Sequence, residues 1–131
     1  MKQSLDHVTL VVSDFARSKD FYTKALAPLG ITVLMDFGQA CGFGHDKPDF
    51  FIGAGPSSFQ KPEQLRIITP THIAFAAQSR AEVDLFYQAA LAAGGKDFGA
   101  PGVRAHYHPG YYGAFVLDPD GHDIEAVFHG G

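Results

Sequence analysis

Apolar and polar positions along this chain change their period at regular intervals. Over residues 5–12 (LDHVTLVV) they alternate. One face of an extended segment then carries His7, Thr9 and Val11, and the other carries Val8, Leu10 and Val12. From Phe15 the spacing becomes helical, through Ser18, Tyr22, Ala25, Leu26 and Leu29. Ser13 and Asp14 supply N-cap oxygens, Pro28 stands near the end, and Gly30 stops the helix. The second half starts the same way. Residues 71–77 (THIAFAA) read as a strand with His72 as its second residue. Ser79-Arg80-Ala81-Glu82 is a capping box, in which the Glu82 carboxylate is expected to accept from the backbone N–H of Ser79. Val83, Phe86, Tyr87, Ala90 and Leu91 form the helical stripe, and Gly94-Gly95 ends it. Tyr22 and Tyr87 belong to the stripes and are expected to pack in the core with their hydroxyls at its rim.

Extended runs follow each helix. They cover residues 31–37, 40–44 and 48–53 in the first half, and 96–99, 111–117 and 123–128 in the second. Asp118-Pro119-Asp120-Gly121 is a strong turn signal between the last two. Residues 99–110 (GAPGVRAHYHPG) read as a loop, and the Pro-rich stretch around 57–69 reads as a linker. The two halves also match residue for residue at an offset of 65. His7 falls on His72, Ala16 on Ala81, Phe21-Tyr22 on Phe86-Tyr87, Ala25-Leu26-Ala27 on Ala90-Leu91-Ala92, and Gly30 on Gly95. These are eight identities in 26 positions. A regular repeat of this kind points to duplication of one unit that cannot bury its apolar face alone. The expected architecture is α+β: one domain over 1–131, built from tandem βαβββ modules at about 1–56 and 70–131.

Composition changes the picture mainly by exclusion. The chain has a net charge of −4 with no basic run, which argues against phosphate-backbone binding and hence against a nucleic-acid partner. A lone Cys41 leaves no intrachain disulfide and fits a reducing compartment. Cys41 has no histidine at a recognisable spacing and is not expected to act as a nucleophile. No apolar stretch approaches the roughly 18–20 residues of a membrane span, and the N-terminus has no signal-peptide core. A cytoplasmic protein without a membrane partner is the expectation.

A tandem βαβββ repeat with a histidine opening each module, and D-P-D-G ahead of Glu125, resembles the vicinal-oxygen-chelate superfamily. That group comprises glyoxalase I, the bleomycin-resistance proteins and the extradiol dioxygenases. The resemblance implies a curled mixed sheet forming a glyoxalase-like cleft, and a divalent metal (Fe, Mn, Ni or Zn) held by side chains of the first and last strands. The ligands it implies are His7, His72 and Glu125. The fourth position falls on Phe51, where glyoxalase I has a carboxylate or amide. Two histidines and one carboxylate suit a facial triad with open positions. Extradiol dioxygenases share that set and add a histidine and a tyrosine upstream of the D-P-x-G run. Here His106 and His108 precede that run, whereas Phe115 stands at the tyrosine position.

Three functions follow as expectations. The first is metal-dependent chemistry on a small molecule with vicinal oxygens, nearest to a lactoylglutathione-lyase-like lyase or isomerase. The second is ring cleavage by an extradiol-type dioxygenase. The third is metal-free sequestration of a drug or metabolite, motivated by Phe51. In the first two, His106 or His108 moves the proton, since alternate residues of an extended segment share a side. Arg104 binds an anionic group, while Phe51, Phe115 and Tyr111 contact the substrate. Phe43 and Phe50 are expected in the core or the cleft. The open edges of the sheets favour a homodimer.

Overall fold

The structure is a computed structural model that describes residues 4–55, 60–61, 63 and 67–130. The first module runs β1 (Val8–Val11), α1 (Phe15–Leu26) continued by a 3-10 turn (Ala27–Leu29), β2 (Thr32–Asp36), β3 (Ala40–Gly44) and β4 (Pro48–Gly53). The second repeats it as β5 (His72–Ala76), α2 (Arg80–Ala92), β6 (Lys96–Val103), β7 (Tyr111–Leu117) and β8 (Asp123–His129). Each module folds into its own four-stranded sheet, in the orders β1-β4-β3-β2 and β5-β8-β7-β6. The first strand pairs parallel with the last, and the remaining pairs are antiparallel, so both sheets are mixed. This is the α+β tandem βαβββ architecture expected from the repeat. Part of the expected linker, residues 57–59, 62 and 64–66, lies outside the described residues.

The caps form largely where the sequence places them. Asp14 accepts from the Arg17 N–H, and Gly30 closes the first helix at φ +77°, a conformation that favours glycine. Ser79 accepts from the Glu82 N–H. The Glu82 carboxylate, however, accepts from Gln78 at 2.8 Å rather than from Ser79 itself. Ser79 is fully extended (φ −161°, ψ 164°), and the carboxylate meets the N–H one residue earlier. The last strands differ more. The segment expected as a loop from residue 99 is strand as far as Val103. Register shifts between Asp97 and Gly99, and between Gly99 and Gly102, carry β6 through its glycines. Pro101 is tolerated because β6 is an edge strand.

Alternation along the strands decides what is buried. Leu10, Phe50, Ile52, Cys41 and Phe43 of the first sheet, and Phe75, Ile124, Ala126, Ala114 and Val116 of the second, join one core with Phe21, Tyr22, Val83 and Phe86 of the helices. Phe43 and Phe50 are therefore core residues. The Phe50 and Phe75 rings meet edge-on at 5.1 Å across the modules. Tyr22 corrects one expectation: it is fully buried, and its hydroxyl donates to Asp118 rather than reaching a rim. Burial and the Asp118 carboxylate push that phenol's pKa up. The 118–121 turn of the second module makes this contact, so it depends on docking between modules. His122 adds to the docking. Its Nδ1 accepts from the Thr71 N–H at 2.9 Å, and its Nε2 donates to the Val11 carbonyl at 3.1 Å.

Candidate active site

The residues that the strands turn away from the core carry the candidate chemistry. In the second module the parallel pairing sets His72 against Asp123 and Ala74 against Glu125. His72 Nε2 then lies 3.1 Å from Glu125 Oε1. His72 Nδ1 is 3.1 Å from both the Asp123 backbone carbonyl and Asp123 Oδ2. Both of those neighbours are acceptors, so Nδ1 is set to donate. Nε2 faces a carboxylate oxygen, and a cation between them, a proton or a metal ion, makes that contact favourable. Glu125 is 1% exposed, and a carboxylate buried this deeply needs partners. Its other oxygen accepts from the Tyr111 hydroxyl. Asp123 Oδ1 is buried with no hydrogen-bond partner.

The first module builds the same framework with different side chains. Thr9 pairs with Phe51 as Ala74 pairs with Glu125, so Phe51 occupies the Glu125 position. His7 stands edge-on to the Phe51 ring at 5.3 Å, and its Nδ1 is 2.6 Å from Asp6 Oδ1. Each module therefore holds a half-exposed histidine with Nδ1 on an acidic partner. Both histidines line a cavity of about 790 Å³ between β1 and β5. Within one chain, His7 does not join the His72–Glu125 pair. Among the described residues, no three His, Cys, Asp or Glu side chains converge tightly enough to hold a metal ion. Of the three expected ligands the structure brings together His72 and Glu125, and that pair by itself makes no metal-holding group.

The segment before β7 departs from its expected shape. Residues 104–107 form a turn closed by the Tyr107 N–H on the Arg104 carbonyl, so His106 and His108 do not share a side of an extended segment. His106 is exposed against Tyr107. His108 instead bonds His129, Nε2 to Nδ1 at 2.8 Å, and its Nδ1 takes the Gly110 N–H. Arg104 is half-buried, bonds the Ala100 carbonyl at 2.8 Å, and lies 5.4 Å over the Phe115 ring. The same ring stacks on His72 at 6.2 Å. Asp123 and His129 were missed from the sequence, although alternation from Glu125 puts both on its face.

The fold and the half-sites make comparison with known proteins informative. The sequence profile of the Glyoxalase/Bleomycin resistance protein/Dioxygenase superfamily matches residues 4–126. The chain belongs to this superfamily. A crystal structure of a glyoxalase/bleomycin resistance protein from Albidiferax ferrireducens T118 is 29% identical, covers 96% of this chain and 98% of its own, and superposes with a TM-score of 0.78. A glyoxalase/bleomycin resistance protein/dioxygenase family enzyme from Burkholderia phytofirmans PsJN has the same fold at 20% identity and a TM-score of 0.73, covering 97% and 99%. The uncharacterized protein YqjT of Bacillus subtilis (strain 168) is 28% identical over 132 residues, covering 94% of this chain and 97% of its own length. Among the described residues of this superfamily member, no helix is long and apolar enough to cross a membrane.

Cys41 stands apart from the superfamily site. It is fully buried on the core face of β3, and burial pushes its thiol up to about 11. A raised thiol pKa leaves the neutral form dominant well below that value. Ellman's reagent at pH 8 is therefore expected to label native protein far more slowly than protein unfolded in urea. Equal rates would contradict the burial of Cys41.

Proposed function

We propose that this chain is a divalent-metal-dependent enzyme acting on a small molecule with vicinal oxygens, nearest to a lactoylglutathione-lyase-like lyase or isomerase. One observation carries the reading: His72 Nε2 faces Glu125 Oε1 at 3.1 Å while His72 Nδ1 is already engaged by Asp123. His72 and Glu125 are two ligands of the site, and His7 of a second copy is the third, which makes the functional unit a homodimer. A divalent metal held by these residues would supply Lewis-acid chemistry for the paired oxygens of the substrate. The chain's own residues do the rest. Phe115 and Phe51 give apolar walls, Tyr111 contacts the substrate beside Glu125, and Arg104 attracts an anionic group. Proton movement falls to His108 or His106. His108 is the better placed, since its ring lies 5.6 Å from Tyr111 and its Nε2 proton is shared with His129.

Elemental analysis of protein purified without chelator or metal-affinity resin tests this reading. The expected result is about one equivalent of divalent metal per chain. The identity of the metal then selects lyase or ring-cleavage assays, the latter being the close alternative for a two-histidine, one-carboxylate site. A chain that stays empty after anaerobic Fe(II) and Mn(II) reconstitution defeats the metal reading. That outcome favours a metal-free drug-binding protein, which Phe51 beside His7 supports, with ligand binding unaffected by chelator.

A further inference from the structure

Among the described residues, the hydrogen bonds that link the two modules gather at one turn, residues 118–122. Tyr22 donates to Asp118, the Ser13 N–H donates to Asp120, and His122 reaches the end of β1. His122 is 1% exposed and is fixed from behind by Asp118. The Asp118 Oδ1 accepts the His122 N–H at 2.9 Å, and the Asp118 N–H donates to the His122 carbonyl at 3.0 Å. The ring then uses both of its nitrogens. Nδ1 accepts from the Thr71 N–H at 2.9 Å, and Nε2 faces the Val11 carbonyl at 3.1 Å and is set to donate. A neutral imidazole with its proton on Nε2 is the form that serves both partners. The first module has no counterpart. Counting back along the β1–β4 and β5–β8 registers, the place of His122 falls on Pro48, whose side chain forms no hydrogen bond.

We infer that His122 is a positioning residue that sets the distance between β1 and β5, and with it the width of the cavity that His7 and His72 line. β1 and β5 are edge strands of two separate sheets, so no ladder of backbone hydrogen bonds fixes their separation. The Phe50–Phe75 contact beneath them is apolar and has no directional preference of comparable strictness. The two arms of the imidazole do different work. The Thr71 arm stays within the second module and holds the residue that precedes His72. The Val11 arm crosses to the strand that follows His7. His122 lines the same cavity, so the crossing arm closes one end of it. The inference goes beyond the metal reading, because the width of the cavity matters equally to a ligand bound without metal.

Three substitutions separate the arms. His122→Asn puts an amide oxygen near the place of Nδ1 and keeps only the Thr71 arm. His122→Gln puts an amide nitrogen near the place of Nε2 and keeps only the Val11 arm. His122→Phe keeps the volume and loses both. Nitroxide labels on Thr32→Cys and Lys96→Cys, exposed positions of the outer edge strands β2 and β6, report the separation of the sheets by pulsed EPR in a Cys41→Ala background. The expected result is one narrow distance in the parent and in His122→Gln, and loss of that single distance to a broad distribution in His122→Asn and His122→Phe. Any other pattern overturns the inference. In particular, a distance kept by asparagine and lost with glutamine assigns His122 a role inside the second module only. Long-range proton–nitrogen NMR of the unsubstituted protein needs no variant. It should show the His122 proton on Nε2 and a bare Nδ1, and a proton on Nδ1 overturns the inference as well.

Discussion

His72→Ala is expected to reduce the metal content of the purified protein from about one equivalent per chain to background, and to abolish turnover with it. The effect should exceed the roughly 10–100-fold cost of losing an outer-shell partner, because the proposed site loses a direct ligand. Position matters as much as identity. His72 opens β5 with Nδ1 fixed on Asp123, and the parallel pairing with β8 sets Nε2 against Glu125 Oε1. Alanine leaves the buried Glu125 Oε1 without the imidazole that faces it, and an unsatisfied buried group costs about 1–3 kcal/mol. The variant should therefore melt slightly lower while remaining folded, since His72 itself is half exposed. Elemental analysis beside a thermal melt separates the two effects. A folded His72→Ala protein that keeps its metal and its activity would sink the proposed site.

Phe50→Ala should give the largest loss of stability, about 3–5 kcal/mol, the range for removing a buried phenyl ring. Phe50 is 2% exposed, and its ring meets Tyr22 at 5.1 Å, Phe43 at 6.0 Å and Phe75 at 5.1 Å. Three of these four rings belong to the first module and Phe75 to the second, so the cavity opens where the two modules share their core. The total stability of a domain this size is about 5–15 kcal/mol, which makes the loss a large fraction of it. In urea the midpoint should fall without a change in slope, and both modules should unfold in one transition. A midpoint within about 1 kcal/mol of wild type would mean that the shared core does not carry the fold.

Alternating runs and helical stripes are local properties, and they placed every helix and strand of both modules with modest shifts at the ends. The 65-residue repeat fixed the correspondence between His7 and His72. Phe51 as the counterpart of Glu125 also emerged from alignment of the two last strands, and the register of β1 on β4 agrees. The errors arose where the chain's shape depends on residues far away. The β6 strand continues past Gly99 because β7 offers it hydrogen bonds, which no residue of 99–103 announces. The Tyr22 hydroxyl is buried because Asp118, 96 residues on, docks over it.

The sequence by itself determined the module and its duplication, because periodicity, caps and turns are written in neighbouring residues. Only the tertiary structure decided which candidates meet. It joined His72 to Glu125, set Tyr111 on the second carboxylate oxygen, paired His108 with His129, and left His7 apart against Phe51. Those contacts depend on strand register and on the packing of one module against the other. Each is a long-range property that residue spacing along a chain does not encode.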